Sequence, residues 1–358
     1  MIEAKHLKLI LAIAETGSIS KASKQLHLTQ SALSHQLKKL EDQLDLKLFH
    51  RVDNQLIFTQ AGKEFRNRAD SIQSQYDELA ERLREIKASQ LSSYIHGYSP
   101  TEAQRLQDQA TTVADFLHHD AYWPAGSRVL EVGCGVGAQT EIIARQNPEV
   151  QFLAIDIAAD SLRQAERCIQ EQGLKNVRFR CQDVRDLPNQ QQEAFDHIFI
   201  CFLLEHLPNP LAILQQLKRL LKPTGTITLI EGDHGSTFFY PDDEAARKVV
   251  AAQVDLQKRR GGNANIGRAL HPLLSKAGYA EITVSPRQVY VDASKPQLVE
   301  GFIKNTFTAM IQGMAESIVT AKLLSTEEVN AGIAGLLNTA EEGVFSYTFF
   351  KAEASLNF

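Results

Sequence analysis

Leu130-Glu131-Val132-Gly133-Cys134-Gly135-Val136-Gly137 is the stretch that decides the fold. The segment Ser127–Val132 predicts a strand, and a helix is expected from about Ala138. Glycines between the two allow a tight turn and bring a ligand close to the backbone at a helix N-terminus, where the first N–H groups lack partners. The third glycine falls one residue too early for a dinucleotide fingerprint, so a nicotinamide cofactor is not expected. The next strand, Val150–Ile157, carries Asp156, 21 residues after Gly135, where a carboxylate can accept both hydroxyls of a ribose.

The pattern continues outward. A strand Val177–Arg180 leads into Cys181-Gln182-Asp183-Val184, placing Asp183 where a carboxylate can take an adenine amino group. A strand Phe195–Phe202, a helix near Pro208–Leu221, the turn Lys222-Pro223-Thr224-Gly225 and a strand Thr226–Ile230 follow. After Ala277-Gly278, Ala280–Val291 and Ser346–Ala352 read as two strands able to pair antiparallel at the sheet edge, with an amphipathic helical insertion over residues 296–340 between them. Such alternation is the α/β signature, and residues 94–358 form one domain on this reading.

The N-terminal quarter has a different texture. His6–Ala14 predicts one helix, Ser18 caps a second running to about Leu26, and Thr29 caps a third reaching about Leu44. Leu33, Leu37, Leu40 and Leu44 form its buried face; Gln30, Ser31, Ser34, His35 and Lys38 occupy the opposite one. Short hydrogen-bonding groups at a helix N-terminus with a cation further along suit base edges and phosphates. Leu48–Arg51 and Gln55–Thr59 read as a hairpin wing, with Arg51 near the backbone or minor groove, closing an all-α winged helix-turn-helix at residues 1–59. Across residues 60–93, Phe65, Ala69, Ile72, Tyr76, Leu79, Leu83 and Ile86 alternate at four and three, the stripe of a two-helix seam. An amphipathic helix lying on the body gives a similar stripe, though packing of that kind needs a wider face.

Composition agrees with this division. The chain has 358 residues, 43% of them hydrophobic and 23% charged, within the ordinary range for two or three globular domains. The net charge of −5 is uneven: residues 1–68 hold 11 Lys/Arg against 7 Asp/Glu, the rest 27 against 36. A basic head on an acidic body points the head at an anion. The longest apolar run, Ile198–Leu204, is far below the ~20 residues of a membrane span, and Leu9–Ala14 lacks a cleavage pattern. Cys134, Cys168, Cys181 and Cys201 have no metal-like spacing and read as reduced thiols, so a cytoplasmic protein without a metal site is expected.

Two resemblances rest on these motifs. M-I-E-A-K-H-L, T-Q-S-A-L-S-H-Q, L-E-x-x-L and L-F-x-R resemble the DNA-binding domain of the LysR-type bacterial regulators over residues 1–87, most of all the methionine-biosynthesis regulators. Asp45 stands where that family usually has glycine. The resemblance implies a homodimer through the 60–87 helix on a double-stranded DNA operator. E-V-G-C-G-V-G, Asp156, Q-D-V at 182–184, F-D-H-I-F-I-C-F-L-L-E-H-L and L-K-P-T-G resemble the class I S-adenosylmethionine (SAM)-dependent methyltransferases over residues 94–353. Y-I-H-G-Y at 94–98 and E-G-D-H-G-S at 231–236 are similar to a subgroup acting on small molecules. That resemblance implies a Rossmann-like seven-stranded sheet with a helical lid, in which Glu131, Gly133, Gly135 and Gly137 hold the methionine portion of SAM. It implies Asp156 on the ribose, Asp183 and Val184 on the adenine, and Cys201 on the sulfonium side.

Catalytic demands on such a site are small, because methyl transfer is an in-line displacement governed by positioning. A general base helps only an acceptor that is protonated at neutral pH. Asp233, His234 and His206 are the candidates at strand C-terminal ends, and Tyr94 and Tyr98 are candidate acceptor contacts. Each has a plainer reading: His206 shapes its loop, and the tyrosines are core aromatics. Two functions remain open at this point, a small-molecule methyltransferase that also regulates transcription, and a non-catalytic regulator that uses the methyltransferase fold to sense SAM or a metabolite.

Overall fold

A computed structural model describes residues 4–26, 28–52, 55–72, 75, 100–187 and 194–356. The chain separates into two compact units, Met1–Gln90 and Leu91–Phe358. Tyr94, Tyr98, the seam positions from Tyr76 to Ile86 and the Arg51 side chain lie outside the described residues.

In the first unit, α1 (Ala4–Thr16), α2 (Ile19–Gln25) and α3 (Gln30–Leu44) are followed by β1 (Phe49–Val52), β2 (Gln55–Phe58) and α4 (60–72). Thr29 caps α3, its Oγ1 accepting the Ala32 N–H at 3.2 Å. Ser18 precedes α2 but its side chain makes no capping bond. Asp45 ends α3 at φ 50°, a left-handed position that a short polar side chain tolerates in place of glycine. Leu33, Leu37 and Leu40 are buried with Leu9, Ile10 and Ile13 in one core. Buried Glu41 ties that core to the wing, accepting the N–H groups of Leu48 (2.9 Å) and Phe49 (3.3 Å) and pairing with Lys47. On α4, Phe65 packs against this same core, so the first seam position serves the unit itself, whereas Ile72 is exposed.

The second unit is built on a seven-stranded sheet. In chain order, α5 (Pro100–His118), β3 (Arg128–Val132), α6 (Ala138–Gln146), β4 (Gln151–Asp156), α7 (Ala159–Glu171), β5 (Val177–Cys181), β6 (Phe195–Cys201) and α8 (Pro210–Lys218) come first. Then follow β7 (Leu221–Tyr240), α9 (Glu244–Arg259), α10 (Leu270–Ala277) and β8 (Tyr279–Asp292). A turn α11 (Pro296–Leu298) leads into a π-helical segment, Val299–Thr308, continued by α12 (Ala309–Thr320), α13 (Thr326–Glu342) and β9 (Val344–Leu356). The order across the sheet is β5-β4-β3-β6-β7-β9-β8, with β9 antiparallel to both its neighbours and the rest parallel. The expected antiparallel pair at the edge is therefore present, and β9 separates β8 from β7.

One expectation is corrected. Lys222-Pro223-Thr224-Gly225, read as a turn, lies inside β7, where Leu221 pairs with Phe195 and the register shifts before His197 meets Thr226. Pro223 has no N–H to give a ladder, and the irregularity absorbs it. Two cores form on the two faces of the sheet. Leu130, Ile198, Ile227 and Leu229 pack on α8 and α10, while Phe199, Ile230, Phe345 and Phe349 pack beneath α5, α9 and the helical insertion.

Candidate functional site

Strand order reverses about β3, whose neighbours β4 and β6 run to opposite sides, and ligands of open α/β sheets bind beyond the strand ends at such a point. Gly133, Gly135 and Gly137 follow β3 with φ of 78°, 54° and 78°, a region that L side chains avoid. At Gly137 a Cβ would stand 2.8 Å from Ala165 Cβ, because α7 crosses the turn there. At Gly135 a Cβ would meet nothing within 4 Å, so the loop faces open space. Asp156 fixes the loop from β4: its Oδ2 accepts the Gly135 N–H and its Oδ1 the Ala158 N–H, each at 2.8 Å. Burial lifts the Asp156 carboxyl above its ordinary range against the pull of these N–H groups.

Glu131, at 2% exposure on β3, has a buried Oε2 with no hydrogen-bond partner among the described residues, and burial, against the pull of the nearby Thr140 hydroxyl, pushes its pKa up to about 7. A buried acceptor without a donor is costly unless a ligand supplies one. Cys201 ends β6, and burial, with the carboxylates of Glu231, Glu131 and Glu205 around it, raises its thiol well above the ordinary value. Val184 is buried. Asp183 caps the short 3-10 turn Val184–Asp186, and its carboxylate is held by the Arg185 backbone N–H (2.8 Å) and guanidinium (2.6 Å).

A second group of polar residues gathers beyond β6 and β7. Glu205, in the turn Leu204–His206, lies 3.7 Å from the Nε2 atoms of both His206 and His234. Gln257 on α9 donates to Glu205 Oε2 at 3.0 Å and itself accepts from Gln253 at 2.9 Å. Burial alone would raise the Glu205 pKa, but the facing imidazoles and Gln257 outweigh it and hold the carboxyl below its ordinary range. Burial lowers His206, opposed by Glu205. Beneath, Glu231 accepts the N–H groups of Leu203 and Leu204, and burial with the Glu205 charge raises it well above the usual carboxyl range.

These groups border a cavity of about 60 Å³, room for a few water molecules, whose walls include Arg105, Glu205, His206, His234, Phe307 and Tyr347. Side chains alternate along β7, so Gly232 and His234 face the cavity and Asp233 does not. Asp233, paired with His234 in the sequence reading, is instead held by Arg268 through two bonds of 2.7 Å. Tyr347, from β9, reaches over Gly232, where a Cβ would run into its hydroxyl, and its ring stands edge-on to His234 at 5.5 Å.

The sequence reading missed Glu205, Gln257, Arg268 and Tyr347. Glu205 stood inside the quoted E-H-L segment, and period-two alternation over residues 231–236 was the available signal that Asp233 and His234 part company. In the first unit, Gln30, Ser31, His35 and Lys38 are exposed on α3 and Ser34 is half-buried.

Residues 4–63 match the model of the bacterial regulatory helix-turn-helix proteins of the lysR family, and residues 124–278 that of a methyltransferase domain. The chain is 44% identical over 86 residues to the HTH-type transcriptional regulator MetR of Haemophilus influenzae, covering 24% of this chain and 28% of that protein. It is 42% identical over 106 residues to the ubiquinone biosynthesis O-methyltransferase of Xanthomonas axonopodis pv. citri, covering 30% of this chain and 43% of the enzyme. These matches thus span less than half the length of each relative. An uncharacterized 37.1 kDa protein in transposon TN4556 of Streptomyces fradiae is 29% identical over 255 residues, 69% of this chain and 72% of that one. Among solved structures, phosphoethanolamine N-methyltransferase 2 of Haemonchus contortus is 17% identical with a TM-score of 0.44, covering 69% of this chain and 52% of that chain. One polypeptide therefore joins a helix-turn-helix domain of the lysR family to a methyltransferase domain.

Proposed function

We propose that the second unit transfers a methyl group from S-adenosylmethionine to a small-molecule acceptor, and that the first binds operator DNA as a homodimer and regulates transcription. One observation carries the donor-binding part of this reading. The Gly135 loop, held open by Asp156, lies at the strand ends beside the unpartnered carboxylate oxygen of Glu131. An acceptor atom kept dry and without a donor suits a cationic ligand, and a carboxylate on two N–H groups has lone pairs left for ribose hydroxyls. On this reading Glu131, Gly133, Gly135 and Gly137 hold the methionine end, Asp156 the ribose, Asp183 and Val184 the adenine, and Cys201 the sulfonium side. When bound, SAM supplies a methyl group on a positively charged sulfur.

The acceptor side is the Glu205 cavity. With its Nε2 turned to Glu205, His234 has Nδ1 left to take a proton from an acceptor O–H or N–H, and that atom has no partner among the described residues. His206, its pKa lowered by burial against the pull of Glu205, borders the same space. Glu205 orients both rings, and Asp233, locked by Arg268, positions the strand that carries His234. Gln30, Ser31, Ser34 and His35 would meet base edges, with Lys38 and Arg51 on the DNA backbone. A protein that uses SAM and operator DNA belongs in the cytoplasm.

The test is formation of S-adenosylhomocysteine by the purified protein supplied with SAM and a cell metabolite extract. Turnover in the wild type and its loss in Asp156→Ala are expected. Full SAM binding with no turnover in any extract would leave a sensor in place of an enzyme.

A further inference from the structure

Outside the cavity, β7 and α9 frame a cleft of about 530 Å³, within the usual range for ligand pockets. It is built from one face of each element. Thr237 and Phe239 stand two apart on β7, and Arg247, Val250, Val254 and Lys258 recur at three- and four-residue spacing on α9. His234 borders both this cleft and the inner cavity.

The lining is divided by chemistry. Phe239, Val250 and Val254 make an apolar floor, and the polar groups toward His234 are mainly donors. Asn265 spends its Oδ1 on the Gly235 N–H at 2.7 Å, leaving its NH₂. Thr237 Oγ1 is buried with no hydrogen-bond partner among the described residues. Asp255 is taken by Arg259 at 2.9 Å and Arg247 by Asp242, whereas Lys258 has no ion-pair partner among the described residues. The distance from Arg247 to Lys258 along the helix is roughly 16 Å at 1.5 Å per residue.

We propose that this cleft binds the body of the methyl acceptor, and that the acceptor is an amphipathic anion. Its apolar part lies on Phe239, Val250 and Val254. Its carboxylate or phosphate is met by Lys258, Thr237 and Asn265 beside His234, and the small cavity beyond takes only the reacting group. The inference rests on the methyltransferase reading of this unit, but anion binding itself is read without the methyl donor.

Calorimetric titration of the full chain with octanoate and octyl phosphate, alongside octan-1-ol and octylamine, reads the preference directly. The anions should bind, the tighter of the two identifying the head group, and the neutral and cationic analogues should bind at least about fivefold more weakly. Lys258→Glu should cut anion affinity by about fivefold or more, and Ala251→Trp, an exposed position on the cleft wall, should abolish binding. SAM affinity should be unchanged in both variants, which separates failure of this proposal from failure of the donor site. Absence of anion binding, or binding indifferent to both substitutions, would overturn it.

Discussion

In the proposed donor site, the Glu131 carboxyl would make SAM binding dependent on pH in a direction fixed by its burial. Its pKa stands at about 7 in the folded protein against an ordinary 4.5. The folded chain therefore holds this proton more tightly than the unfolded chain does. Its contribution to stability is full below pH 4.5 and is lost as pH rises through 7. At about 1.4 kcal/mol per unit, the ligand-free protein at pH 8 bears a cost of roughly 3 kcal/mol from this one group. A cationic ligand beside the carboxylate reverses the balance, because it favours the ionised form. Affinity then tracks the ionised fraction, roughly one-eleventh at pH 6 and ten-elevenths at pH 8, a gain of about tenfold. Glu131→Gln keeps the shape and removes the titration. Calorimetry with SAM at pH 6, 7 and 8 should show the rise in the wild type and a smaller one in the variant. Urea unfolding without ligand should find the variant more stable at pH 8 and little changed at pH 5. A wild-type affinity flat across this range, or an identical rise in the variant, would refute the assignment of Glu131 to a cationic ligand.

Arg268→Ala leaves the buried Asp233 carboxylate without its two bonds, at a cost of about 1–3 kcal/mol in urea unfolding. Because the pair positions the His234 strand, kcat should fall while calorimetric SAM affinity stays unchanged; equal loss of both would make the pair part of the donor site. In the first unit, Ser34→Ala with His35→Ala should relax sequence preference, each lost base contact being worth about 1–3 kcal/mol. Footprinting that finds the same preferred sites and affinity at fixed salt would remove these residues from the DNA interface.

Local chemistry was the legible part of the sequence. The glycine loop, the carboxylate at 156 and the Thr29 cap are each set by neighbours within one or two elements, and the structure places them as expected. The acceptor side was not legible in this way. Glu205, Gln257 and Tyr347 come from a turn, a helix and a strand about 50 to 140 residues apart, and Tyr347 joins the other two because Gly232 pairs with Phe349. Neither that register nor the place of β9 between β7 and β8 is encoded in any local run. Asp233 was misplaced for a simpler reason: two adjacent polar residues on a strand were read as one site, although they point to opposite faces.

The interior place of β9 sets an order of events during synthesis. The ribosome delivers β3, β4, β6 and β7 first, and these already juxtapose Glu131, Asp156 and Cys201. Strand β8 emerges next, but its sole neighbour in the sheet is β9, so it waits unattached until the polypeptide is nearly complete. Tyr347, which covers Gly232, arrives on that late strand. On the reading proposed above, the strands that would hold the methyl donor thus emerge well before the strand that walls the Glu205 cavity.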